Sequence, residues 1–162
     1  MDSIITRRWL VRWMYATAVV HLLVGLALPW IGDLPVFDGY HRGVEAAFWG
    51  AAAPSAARAQ QVWWISLFGP TIQGMSLWML ALIHFGDRYR SGLAWGALIA
   101  GIVIWAPQDM LISLRADCWT HVWVDAFAVV TMVPPLMWLY FCDRHAAASG
   151  FEKFAAVPAR ST

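Results

Sequence analysis

Residues 92–125 read GLAWGALIAGIVIWAPQDMLISLRADCWTHVWVD. From Gly92 to Leu114 the side chains are nearly all apolar or small. Such a run is long enough to cross roughly 30 Å of hydrocarbon as a helix. After about four residues, Arg115 to Cys118, a second apolar run starts at Trp119. A connection that short makes the two helices antiparallel neighbours. Inside this hairpin stand Asp109, His121 and Asp125. A charge at the centre of a bilayer helix costs roughly 2.5–3.5 kcal/mol on insertion scales, so such residues are rare, face the bundle interior and mark functional sites.

The rest of the chain fits the same setting. Of its 162 residues 60% are hydrophobic and only 13% are charged, against about 25% charged in soluble domains. A soluble core of this size has too little interior for that much apolar surface, so lipid is the expected solvent. The twelve Trp residues suit membrane–water interfaces, where an amphipathic ring is at home. A net charge of +1 gives no electrostatic case for nucleic acid. Four spans are expected, at about 9–30, 62–85, 92–114 and 119–141, within one integral membrane domain covering 1–162. The predicted fold is therefore an all-α, polytopic four-helix bundle. The first run is too long for a signal peptide, and Ala27-Leu-Pro-Trp30 is a poor cleavage site, so it reads as a retained helix.

Orientation follows from Lys and Arg. Arg7, Arg8, Arg12, Arg88, Arg90, Arg144, Lys153 and Arg160 fall on one side, and Arg42, Arg58 and Arg115 on the other. This bias puts both termini in the cytoplasm, the expected membrane being a bacterial inner membrane. The outer loop, 31–61, contains Asp38-Gly-Tyr-His-Arg-Gly-Val-Glu-Ala-Ala-Phe-Trp49, which predicts a short interfacial helix. His41 and Glu45, four apart, permit a metal or a salt bridge there, but a solvated helix face is the favoured reading. The cytoplasmic tail, 143–162, is polar with small residues and is expected to fray. Cys118 and Cys142 lie at opposite ends of the last span, roughly 36 Å apart at 1.5 Å per residue, which excludes a disulfide between them.

Helical spacing aligns His121, Asp125, Ala128 and Met132 on one face of the fourth helix. Ser66, Gln73, Leu80 and His84 align on the second, Met14, His21, Gly25 and Leu28 on the first, and Ala97, Gly101 and Gln108 on the third, with Asp109 one step round. In the tight hairpin Asp109 pairs in height with about Trp123, so His121 and Asp125 flank its level. These residues outline a polar cavity in the outer half of the bundle, with Gln73 and His21 deeper. Pro107 removes a backbone bond and frees the carbonyl of Val103, an irregularity tolerated where backbone is buried in protein or lines a cavity.

Asp109, His121 and Asp125 are the candidate catalytic and metal-binding residues. Two carboxylates and an imidazole can hold a divalent metal, relay protons, or act as general acid and base. His21, Gln73, Gln108 and Trp123 are the candidate cofactor-binding residues beside them. For the first three, hydrogen bonding between helices is the competing reading. Trp63, Trp64, Trp119 and Trp123 suit an aromatic belt better than a stacking site. Bis-His haem is disfavoured, because His21 and His121 differ in depth by about 10 Å at the helical rise.

The first helix carries His21-Leu-Leu-Val-Gly25. The second carries Gly69-Pro-Thr-Ile-Gln73-Gly74 and Leu80-Ala-Leu82, and Gly86-Asp-Arg-Tyr-Arg90 leads into an Ala/Gly-rich third helix. This layout, over about 90 residues, resembles DoxX-like small four-helix membrane proteins. The resemblance implies a compact bundle serving as a subunit of quinone or sulfur redox systems, with a polar or acidic residue where Gln73 stands.

Three readings stay open. The first is a membrane protein binding a small ligand, ion or proton in the polar cavity, as an accessory subunit of a redox or transport system. The second is a membrane-embedded enzyme acting on a lipophilic molecule. The third is a structural partner of another membrane protein or of a second copy.

Overall fold

The structure, a computed structural model, describes residues 2–155. Five helices follow in order: α1 (Asp2–Ile31), α2 (Asp38–Trp49), α3 (Ser55–Tyr89), α4 (Gly92–Arg115) and α5 (Trp119–Ala155), with one 3-10 turn at Pro35–Phe37. Four of them are long and apolar enough to cross a membrane, over Ile4–Ile31, Ser55–Tyr89, Gly92–Arg115 and Trp119–Ala146. The chain is thus an all-α bundle of membrane-type helices. Trp30, Trp78, Leu93 and Phe127 are largely exposed on its outside, an arrangement that suits lipid and is costly in water.

The helices outrun the expected spans because hydropathy marks only the stretch that needs lipid. Helix continues until a residue stops it. α3 starts directly after Pro54 and takes in the polar turns up to Gln61. α5 carries on through Asp143 to Ala155, in the tail expected to fray. Ala, Glu and Lys there are good helix formers. Residues 156–162 of that tail lie outside the described residues.

The bundle is built from two tight pairs, α1 with α3 and α4 with α5, joined by looser α3–α4 and α1–α5 contacts. Glycine sets the first crossing. A Cβ on Gly25 would lie 2.8 Å from the Gly69 carbonyl oxygen, and one on Gly69 would meet the Pro29 ring at 2.6 Å. Small residues here let two backbones touch. The turns are equally tight. Arg90 and Asp117 take left-handed backbone angles, with φ of 48° and 53°, and the Ser91 side chain caps α4 by accepting from the Ala94 amide.

Prolines run through the helices at Pro29, Pro70, Pro107, Pro134 and Pro135. Each removes a donor and frees the carbonyl four residues earlier. Two of the freed carbonyls are captured from a neighbouring helix. Gly25, freed by Pro29, accepts from Gln73 Nε2 at 3.0 Å. Thr131, freed by Pro135, accepts from Trp13 Nε1 at 3.0 Å.

At the end that holds the N-terminus, a polar clasp joins all four long helices. Arg7 on α1 donates from Nε and Nη2 to the two carboxylate oxygens of Asp143 on α5, both at 2.9 Å. It also donates to Asp87 on α3 at 2.8 Å. Trp95 of α4, fully buried, donates its indole N–H to Asp143 at 2.9 Å. Gly86 makes this possible, since a Cβ there would sit 2.6 Å from the Trp95 ring. Arg90 lies 3.4 Å from Asp143 and completes a balance of two cations and two anions.

At the other end, α2 is the short helix expected within the long loop, and it rests on α5. The reading of His41 and Glu45 as a solvated face is overturned. Their exposures are 0% and 5%. His41 Nε2 donates to the Gly32 carbonyl at 2.7 Å, and its Nδ1 accepts from Gln61 Nε2 at 2.9 Å. Glu45 and Asp38 both hold Arg58, at 2.7 and 3.0 Å. The physical reason is docking: α2 lies down on the bundle, and the face that alternation left polar meets the extended N-terminal turns of α3.

Candidate functional site

The α4–α5 turn is closed by Ala116 to Cys118, with Cys118 N–H donating to the Ser113 carbonyl at 2.9 Å. This register brings Asp109 on α4 level with the first two turns of α5. His121 Nε2 lies 3.5 Å from Asp109 Oδ2 and 3.9 Å from Asp125 Oδ1. Ligand-type atoms of the three residues all fall within 4.8 Å of one another. Asp125 is 2% exposed, while Asp109 and His121 keep about a third of their side-chain surface, 30% and 31%. Asp125 Oδ2 is buried with no hydrogen-bond partner.

The fourth wall comes from α2. Tyr40 Oη stands 3.0 Å from His121 Nδ1, its ring edge-on to the imidazole. Gly43 lets α2 come this close, since a Cβ there would overlap the Thr120 hydroxyl. Burial, followed by the fields of Cys118, Asp125 and Asp109, pushes the Tyr40 phenol up to about 12. It is therefore a neutral partner across the physiological range.

Sequence spacing marked Asp109, His121 and Asp125 as sharing one height, and the fold brings them together. It does not gather the other four candidates around them. His21 places its Nδ1 2.8 Å from the Thr17 carbonyl of its own helix. Gln73 is occupied by Gly25. Gln108 is exposed and donates to the Ile104 carbonyl one turn back. Trp123 is 69% exposed, like Trp63, Trp64 and Trp119 near the same end, as a belt residue would be. No polar contact joins these four candidates to the triad among the described residues. Gln73 and His21 thus serve the helix backbone.

Tyr40 was missed by sequence reasoning, as was the clasp of Arg7, Asp87, Trp95 and Asp143. The only signal for Tyr40 was its place beside His41 on a short helix with an adjacent Gly43. For the clasp there was the alternation of Arg and Asp at three helix ends, which reads equally well as ordinary interfacial charge.

Chemically, two ionised carboxylates and a neutral imidazole carry two negative charges. Burying an oxygen of that set without a donor is expensive. A cation or a proton seated among the three would remove the imbalance. Comparisons with family models, with curated proteins and with solved structures give no match for this chain.

Proposed function

We propose that this chain is a membrane protein that binds a small cation at Asp109, His121 and Asp125. The observation that carries the reading is Asp125 Oδ2, buried without a donor inside a set of three ligand-type groups. A bound cation supplies the missing partner. The setting we propose is a bacterial inner membrane with both termini cytoplasmic, on the strength of the Lys/Arg bias. We also propose kinship with DoxX-like proteins and a role as an accessory subunit of a redox or transport system. That kinship rests on the sequence layout from His21 to Arg90.

The test is thermal melting of the purified chain in detergent, chelator-treated and then titrated with Zn²⁺, Mn²⁺, Ca²⁺ and Mg²⁺. An ion at about a hundred times its Kd should add roughly 2.7 kcal/mol of stability. Asp109→Asn and Asp125→Asn should remove the shift. A wild-type melting temperature indifferent to all four ions overturns the reading.

A second reading is favoured by a path of polar groups in which Tyr40 Oη is 3.0 Å from His121 Nδ1 and His121 Nε2 is 3.5 and 3.9 Å from the two carboxylates. Such a path suits proton relay, or acid–base chemistry on a lipophilic molecule. Proton flux into proteoliposomes that falls to the lipid baseline in His121→Ala, with no divalent ion present, would support it. Equal flux in both would exclude the relay.

A further inference from the structure

We infer that the triad is a site for a borderline divalent transition ion of the zinc type, held by three protein ligands, with Tyr40 fixing the imidazole that binds it. The inference rests on the cation-binding reading above and names the class of ion.

The donor set decides the class. Imidazole nitrogen suits zinc, iron, copper and nickel, whereas carboxylate-only and carbonyl sets suit calcium and magnesium. Calcium takes six to eight oxygen ligands, and magnesium keeps near-octahedral geometry with several waters. The triad offers one nitrogen and carboxylates from two residues on two rigid helices. Three protein ligands with one open position form the pattern of reactive zinc sites. At metal–ligand distances near 2.0–2.2 Å, the edge of a tetrahedron is roughly 3.3–3.6 Å. The observed 3.5 Å from His121 to Asp109 matches that edge, whereas the 3.9 Å to Asp125 Oδ1 and the 4.8 Å that bounds the whole set require the ligands to close on the ion by up to roughly 1 Å. Two carboxylates also balance a divalent charge, leaving no net charge buried.

Tyr40 supplies the outer contact that such a site needs. A metal-bound imidazole ligates through one nitrogen and donates its other N–H to an acceptor, which fixes its tautomer and orientation. Here Nε2 faces both carboxylates, and Nδ1 faces the Tyr40 oxygen at 3.0 Å. When Nε2 binds the ion, Nδ1 carries the proton and the phenol oxygen accepts it. Tyr40 is thus a positioning residue, and α2 is the element that presents it.

The test uses the full chain in detergent micelles, with Zn²⁺ competed against a chromophoric chelator. One Zn²⁺ should bind per chain and stay bound under a large excess of Ca²⁺ or Mg²⁺. Co²⁺ in its place should give the strong visible bands of a four-coordinate ion. Tyr40→Phe should keep the stoichiometry but lower Zn²⁺ affinity by about 10- to 100-fold. Nitrogen NMR of the zinc-loaded protein should show His121 metallated at Nε2 and protonated at Nδ1, a signature that loss of packing alone would not move. Asp125→Asn should abolish binding. Asp109→Asn, at a half-buried position, serves where the buried change impairs folding. Displacement by Ca²⁺ or Mg²⁺, metallation at Nδ1, or unchanged affinity in Tyr40→Phe overturns this inference and leaves the cation reading standing. No binding of any of these ions to the folded wild-type chain overturns both.

Discussion

The side-chain amide of Gln73 on α3 donates to the backbone carbonyl of Gly25 on α1, 3.0 Å away, in place of the amide hydrogen that Pro29 lacks. The two helices therefore share one hydrogen-bond account at their glycine crossing. Gln73→Leu should destabilise the bundle by about 0.6 kcal/mol, and at most about 1.7. Pro29→Ala gives the Gly25 carbonyl its own helical donor again, so in that background Gln73→Leu should cost less. Melting temperatures of the two single variants and the double variant measure the coupling. Strict additivity would show that the amide contributes nothing through Gly25.

The clasp at the other end predicts a larger effect. Asp143 is 1% exposed and meets Arg7, Arg90 and Trp95. Asp143→Ala leaves Arg7 buried with one carboxylate, and breaking a buried pair from one side costs about 3–5 kcal/mol. Arg8→Ala, at an exposed position on the same helix turn, should stay within about 0.5 kcal/mol. Comparable losses in the two variants would contradict the clasp.

Tyr40 gives a pH signature outside the spanning helices. Its phenol is raised from the ordinary 10.0 to about 12, first by burial. A raised acid stabilises the folded state while it is neutral. That contribution is complete below the unfolded pKa and is lost as pH rises through the folded one. Stability should thus fall between about pH 10 and 12 more steeply in the wild type than in Tyr40→Phe. The ultraviolet difference titration of the two proteins should show a phenolate midpoint near 12. A midpoint at 10 would mean that α2 does not bury this residue.

Gly43 should be equally sensitive. Its missing Cβ leaves room for the Thr120 hydroxyl, so Gly43→Ala should push α2 off the start of α5 at a cost of about 1–3 kcal/mol. Thr120→Ala should recover part of that loss. Amide hydrogen exchange along Asp38–Trp49 reads the docking directly. Unchanged protection in Gly43→Ala would show that the contact does not hold α2 in place.

Much of the fold was legible because it depends on local patterns. Four apolar runs and short connections were enough to place α4 and α5 as a hairpin, and helical rise alone put Asp109 opposite the first turns of α5. Helix ends were less legible. Asp143 looked like the start of a tail because charge signals water, yet the helix continues and buries that charge against Arg7. His41 and Glu45 misled for the same reason: polar residues four apart suggest a solvated stripe until another helix lies on it.

Covalent neighbours and periodicity thus determined which segments are helical, which of them suit lipid, and which three costly side chains share a height. Those properties follow from rise per residue and transfer free energy, and both are local. Tertiary structure alone decided that Tyr40 closes the triad, that Gln73 serves a proline gap, and that Arg7 meets Asp143 across 136 residues of sequence. Each depends on where distant helices cross. The crossings are set by glycines at Gly25, Gly43, Gly69 and Gly86, whose partners no spacing rule reveals.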